Sequence, residues 1–155
     1  MPALARLKAI MSAPELPMHE LEPLSDLIIE FYEKLSSWEQ AVVRDSAISL
    51  PQMHTLEILG QSAPLRMKEL AAKMGVTTGT LTVTVDKLEK QGLVARIPHE
   101  TDRRSILVGL TDAGQALFQE HHAHHLSLTR ELTAVLSADE ATQLQGILKK
   151  LTEVL

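Results

Sequence analysis

Cysteine is absent from the 155 residues. That excludes disulfides, thiolate zinc sites, thiol redox sensing and cysteine nucleophiles together. Aromatic side chains are nearly as scarce, with two Phe, one Tyr and one Trp, so aliphatic helix ridges rather than a large sheet must supply the core. No apolar run approaches the roughly 18 residues of a membrane span, and the amino-terminal "MPALARLKAIMSAPELP" is interrupted by charge and proline; a cytoplasmic protein with no membrane partner is expected. An HExxH pair, a nucleophile elbow and a glycine-rich phosphate loop are also missing, which argues against an enzyme.

What is present suits one mainly helical domain. Hydrophobic residues make up 45% of the chain, enough to bury a core at this length. The net charge of −5 is unevenly spread. From Arg66 to Arg104, eight basic residues face five acidic ones, a balance of +3, and the rest of the chain carries −8. A basic middle between acidic ends is the asymmetry expected when one segment meets phosphate and the others do not.

Pro2, Pro14 and Pro17 make residues 1–20 an arm, with a short helix at 3–11. Leu24, Leu27, Ile28, Phe31, Leu35 and Trp38 then recur at steps of three and four, which predicts one long helix from Leu21 to about Arg44. "SLPQMHTLEILGQS" predicts a second helix with Pro51 in its first turn and Gly60 just past its end, and "PLRMKELAAKMG" a third, stopped by Gly75. "TLTVTV" alternates like a strand, yet Thr77 is a good N-cap and Leu81, Val85 and Leu88 continue at helical spacing to Gly92, so a fourth helix is expected. "LVARIPHETDRRSILVGL" has two apolar runs around a polar tip, a β-hairpin signal. Thr111 caps a helix from Asp112 to about Val135, and Ser137 with Glu140 forms a capping box for a last helix to Leu155.

The third and fourth helices place Ala71, Gly75 and Leu81 where a helix-turn-helix needs a small residue, a turn glycine and a buried contact. Its second helix would meet the major groove through Thr77, Thr78, Gly79, Thr80 and Thr82, with Lys87 further along. Threonine hydroxyls can bond base edges or phosphates, and their methyls can touch thymine. The hairpin that follows has the position of a wing, with Arg103 and Arg104 at its tip.

From about Leu50 to Leu110 the chain resembles MarR-type winged-helix repressors, with "DKLEKQGLVAR" followed by "DRRSILVGLTDAGQAL" carrying the likeness. The resemblance implies a winged helix-turn-helix lobe over 50–110, and a helical dimerisation region formed by 21–45 and 112–155. It implies a homodimer that straddles a palindromic operator on double-stranded DNA and responds to a small-molecule effector. It also implies that Asp102 braces Arg104, that Arg104 reaches the minor groove and that Arg103 meets phosphate. The recognition helix departs from the usual pattern, because Thr78 and Val83 stand where Arg, Lys or Gln often do.

"EHHAHH" at 120–125 holds four of the seven histidines. His121 and His125 share a helix face at i and i+4, so two imidazoles can reach one cation, while a solvated polar face is the other reading. The zinc-responsive subset of the MarR type resembles this chain at His54, His121 and His125, with Glu39 as fourth ligand only if a three-residue gap is allowed. Of that subset's second metal position only Glu120 is present, with Met53 in place of a carboxylate, so one site is expected. Zinc as the cofactor would make the protein a zinc-activated repressor. The alternatives are a repressor released by an aromatic or lipophilic ligand in a pocket lined by Trp38, Leu59 and Phe118 and, remotely, a zinc hydrolase built on the same histidines. His19 and His99 are expected to be surface residues.

Overall fold

The computed structural model describes residues 16–44, 46–62, 64–98 and 106–154. The predicted 3–11 helix and the hairpin tip with His99, Asp102, Arg103 and Arg104 lie outside these residues. The elements are α1 (Met18–Val43), α2 (Leu50–Gly60), β1 (Leu65–Arg66), α3 (Met67–Met74), α4 (Thr78–Lys90), β2 (Val94–Pro98), β3 (Ile106–Leu110), α5 (Asp112–Thr133) and α6 (Ala138–Val154). They fall into two compact units. One runs from Ser37 to Leu128, and the other combines the chain up to Ser36 with the chain from Thr129 onward.

In the Ser37–Leu128 unit, α2, α3 and α4 enclose a core of Leu56, Leu70, Leu81, Val85 and Leu88, all at most 1% exposed. The alternating "TLTVTV" is helical, as expected, because tertiary burial of the Leu81–Val85–Leu88 stripe outweighs strand propensity. Thr77 Oγ1 accepts from the Thr80 amide at 3.2 Å and starts the helix. Gly75 and Gly92 stop α3 and α4 in the left-handed region, at φ 66° and 71°. No helix of the described residues is long and apolar enough to cross a membrane.

The sheet has the order β1-β3-β2 and is antiparallel throughout. The hairpin pairs Val94 with Leu110 and Pro98 with Ile106. Its third strand corrects the sequence reading, which ran a helix through "PLR". Leu65 and Arg66 instead pair with Val108 and Leu107, and α3 starts at Met67 with the Glu69 carboxylate accepting the Arg66 amide at 3.0 Å. Two residues are too few to show a period. Gly60 is likewise the last residue of α2 rather than the one after it, and the Phe118 ring occupies the place a side chain would take, 2.5 Å from an ideal Cβ.

α5 begins where Thr111 Oγ1 accepts from the Gly114 amide and donates to the Gly92 carbonyl. In the other unit, α1 starts at Met18, three residues inside the expected arm, because the Pro17 carbonyl accepts the Glu20 and Leu21 amides. The predicted capping box opens α6, with Ser137 and Glu140 bonded reciprocally. Ile147, Leu148 and Leu151 of α6 are exposed, as are Leu24, Leu27, Ile28 and Phe31 of α1.

Candidate functional site

Helix α4 offers its outer side to solvent over the whole first turn. Thr77, Thr78, Gly79, Thr80, Thr82, Val83 and Lys87 are exposed, opposite the buried stripe. Lys68, Lys73 and Lys90 are exposed as well, so the basic stretch has free cations near α3 and α4. Arg96 is not among them. It reaches from β2 to Asp86 at 2.5 Å and to Glu89, tying the first strand of the hairpin to the carboxyl-terminal half of α4. The Asp86 hydrogen bond chiefly, helped by the charge of Glu89, raises its already high pKa.

The second cluster lies where α2 meets α5. His121 Nε2, His125 Nε2 and Glu57 Oε1 form a triangle with sides of 3.1, 2.9 and 3.6 Å. His125 also stands edge-on to Trp38, with ring centroids 5.0 Å apart. His121 is 2% exposed. Burial first, and then the neighbouring imidazoles of His125, His124 and His54, hold its pKa down to about 4, although the Glu57 carboxylate is close enough to oppose them.

Of the sequence-predicted metal ligands, His121 and His125 come together. His54 and Glu39 form a pair of their own, Nε2 to Oε2 at 3.7 Å. Glu57, which the sequence reading did not single out, joins the two α5 histidines. Its signal was present, since Glu57 follows His54 by three residues and shares its helix face. A cavity of about 300 Å³ beside the cluster is lined by His54, Glu57, Ile58, Gln61, Lys73 and Met74. Leu59 and Phe118, the residues expected to line a ligand pocket with Trp38, are buried, at 4% and 8% exposed.

A neutral, buried His121 has a direct consequence for stability. The unfolded chain takes up a proton at this residue near pH 6.5 and the folded chain only near 4, so the unfolded state binds more protons in between. The contribution is therefore fully present above pH 6.5 and is lost as the pH falls towards 4. Metal-free protein should show a urea midpoint that drops from pH 7 to pH 5, and His121→Gln should flatten that drop. Parallel falls in both proteins would show that His121 is not its source.

The α3–α4 pair and hairpin match known proteins. A sequence profile of the MarR family fits residues 48–106. The uncharacterized HTH-type transcriptional regulator YfiV of Bacillus subtilis is 34% identical over 101 residues, which span 64% of this chain and 63% of that protein. The multiple antibiotic resistance protein MarR of Escherichia coli is 32% identical over 133 residues, 85% of this chain and 92% of that protein. The chain belongs to the MarR family. As a MarR-family protein it is a winged-helix transcription regulator and not an enzyme. The same fold appears in Streptococcus pneumoniae FabT, solved in complex with DNA, with a TM-score of 0.78 and 23% identity over 86% of this chain and 95% of that one.

Proposed function

We propose that this MarR-family protein is a homodimeric repressor of palindromic operators whose affinity for DNA is raised by zinc. Family membership and the solvent-facing first turn of α4 support the DNA contact. The wing would add Arg103 on phosphate and Arg104, braced by Asp102, in the minor groove. Exposed apolar residues on α1 and α6 are of the kind a symmetric dimer covers.

The observation that carries the zinc reading is the triangle of Glu57, His121 and His125. Tetrahedral zinc, with bonds of about 2.0–2.1 Å, separates its ligand atoms by about 3.3 Å, and the three sides bracket that value. Zinc bound there would link α2 to α5, and His54, one turn before Glu57 on α2, would be a fourth ligand only by leaving its Glu39 partner. Coupling to DNA is reciprocal: a metal that favours the operator-bound dimer must itself bind tighter when DNA is present.

The test is DNA binding by chelator-treated protein with and without added zinc, for wild type and for the His121→Ala/His125→Ala double variant. The expected result is a gain of about 5–150-fold in wild-type affinity on adding zinc, the usual range for allosteric coupling, and none in the variant. Equal affinity with and without zinc overturns the zinc reading and leaves the repressor intact. The cavity lined by His54, Glu57, Ile58, Gln61, Lys73 and Met74 gives room for a second reading, release by a small aromatic or lipophilic ligand. A small aromatic compound that lowers affinity in both proteins, without any zinc response, would select it.

A further inference from the structure

The centre of the α4 face can donate almost nothing to a base. Thr82 Oγ1 donates its proton to the Thr78 carbonyl at 2.7 Å, and Thr84 Oγ1 donates to the Thr80 carbonyl at 3.4 Å. One hydroxyl of the Thr77–Thr80 pair donates to the other at 3.0 Å. A hydroxyl has a single proton, so Thr82, bonded at 2.7 Å, presents its lone pairs outward, while the more weakly held Thr84 is half-buried. Between Thr80 and Lys87, the described side chains on the exposed face therefore offer no free donor. They offer an acid, Asp86, already held by Arg96, together with methyl groups. Val83 stands at the middle of this face, 56% exposed and opposite the buried stripe.

In the major groove guanine shows two acceptors, N7 and O6, which call for a donor, and only thymine shows a methyl group. Between Thr80 and Lys87 this surface of methyls and engaged hydroxyls offers guanine no donor, and the donors of the face, the Thr78 hydroxyl and Lys87, lie at its two ends. It matches the other pair: apolar atoms meet the thymine methyl, and the Thr82 lone pairs accept from the adenine amino group. Lys87 and Lys90 follow Val83 by four and seven residues along α4, and would supply charge to phosphates at the carboxyl-terminal end of the face.

On the DNA-facing role proposed above for α4, we infer that its centre reads thymine C5-methyl groups, and so A·T pairs, through Val83 and Thr82. Specificity of the operator contact then rests on apolar contact rather than on a guanidinium or amide fork.

The test begins by selecting duplexes from a randomised pool with the full-length protein. Affinity is then compared between the selected duplex and the same duplex with deoxyuridine replacing each half-site thymine in turn, which deletes one methyl and leaves every hydrogen bond. A contacted methyl should be worth about fourfold in affinity. Val83→Ala, which exposes no core, should lose a similar factor on the thymine duplex and lose sensitivity to deoxyuridine at the position it touches. Selected half-sites read mainly at G·C pairs, or affinities indifferent to deoxyuridine throughout, overturn this inference while the DNA-binding role stands. If no duplex is enriched at all, the DNA-binding role fails and this inference with it.

Discussion

Gly114→Ala is expected to lower the unfolding free energy by about 3 kcal/mol or more, at the upper end of what overpacking costs. The reason is a backbone contact. An ideal Cβ on Gly114 would sit 1.9 Å from the Leu93 carbonyl oxygen and 2.9 Å from its carbon. Neither atom can turn aside as a side chain could. That same carbonyl accepts the Thr111 amide at 3.1 Å, while Thr111 Oγ1 bonds the Gly92 carbonyl and the Gly114 amide. Moving Leu93 away to admit a methyl therefore strains the turn that ends α4 and the cap that begins α5. Gly79→Ala is the internal comparison, because its nearest foreign atom is Thr77 Oγ1 at 3.8 Å. Relief of backbone entropy without a clash should raise stability there by up to about 1 kcal/mol. Urea unfolding of both variants checks the pair, and similar small changes in the two would show that the α5 start yields easily.

The contrast between these glycines bears on what a sequence can reveal. Gly75 and Gly92 were legible as helix stops because the left-handed conformation leaves a local signature, glycine after a periodic run. Gly114 was not, since its need for a bare backbone comes from Leu93, twenty-one residues earlier in the chain. The same division runs through the rest of the molecule. Caps at Thr77, Thr111 and Ser137 are short-range and were read correctly. The helical outcome of "TLTVTV" was readable only because the apolar spacing on either side outvoted local propensity. β1 escaped notice because a two-residue strand has no period, and its partner β3 lies more than forty residues away. At the histidine cluster the i, i+4 pair His121–His125 was visible along one helix. Glu57 was not, because it comes to the pair through the packing of α2 on α5.

Glu57 supplies the second large effect. With zinc at the cluster as proposed, Glu57→Gln should weaken zinc binding by more than a hundredfold, whereas Glu39→Gln should cost no more than the about 10–100-fold seen when an outer partner of a ligand is lost. Both substitutions keep shape and remove charge, so the difference between them isolates position. Glu57 Oε1 lies 2.9 Å from His125 Nε2 and 3.6 Å from His121 Nε2, at the corner of the triangle that three zinc ligands would occupy. Among the described residues Glu39 pairs with His54 alone, at 3.7 Å, and can orient that ring without touching the two α5 histidines. Competition with a chromophoric chelator gives the affinities, and thermal unfolding gives an independent readout. A ligand held only by the folded state adds about 2.7 kcal/mol of stability at one hundred times its Kd. Wild type and Glu39→Gln should therefore melt higher with zinc than with chelator, and Glu57→Gln should not. The reverse ranking would move the metal to the His54–Glu39 pair, and with it the lever on DNA from the α2–α5 contact to the α1–α2 contact. Two variants thus decide which helices a bound metal draws together.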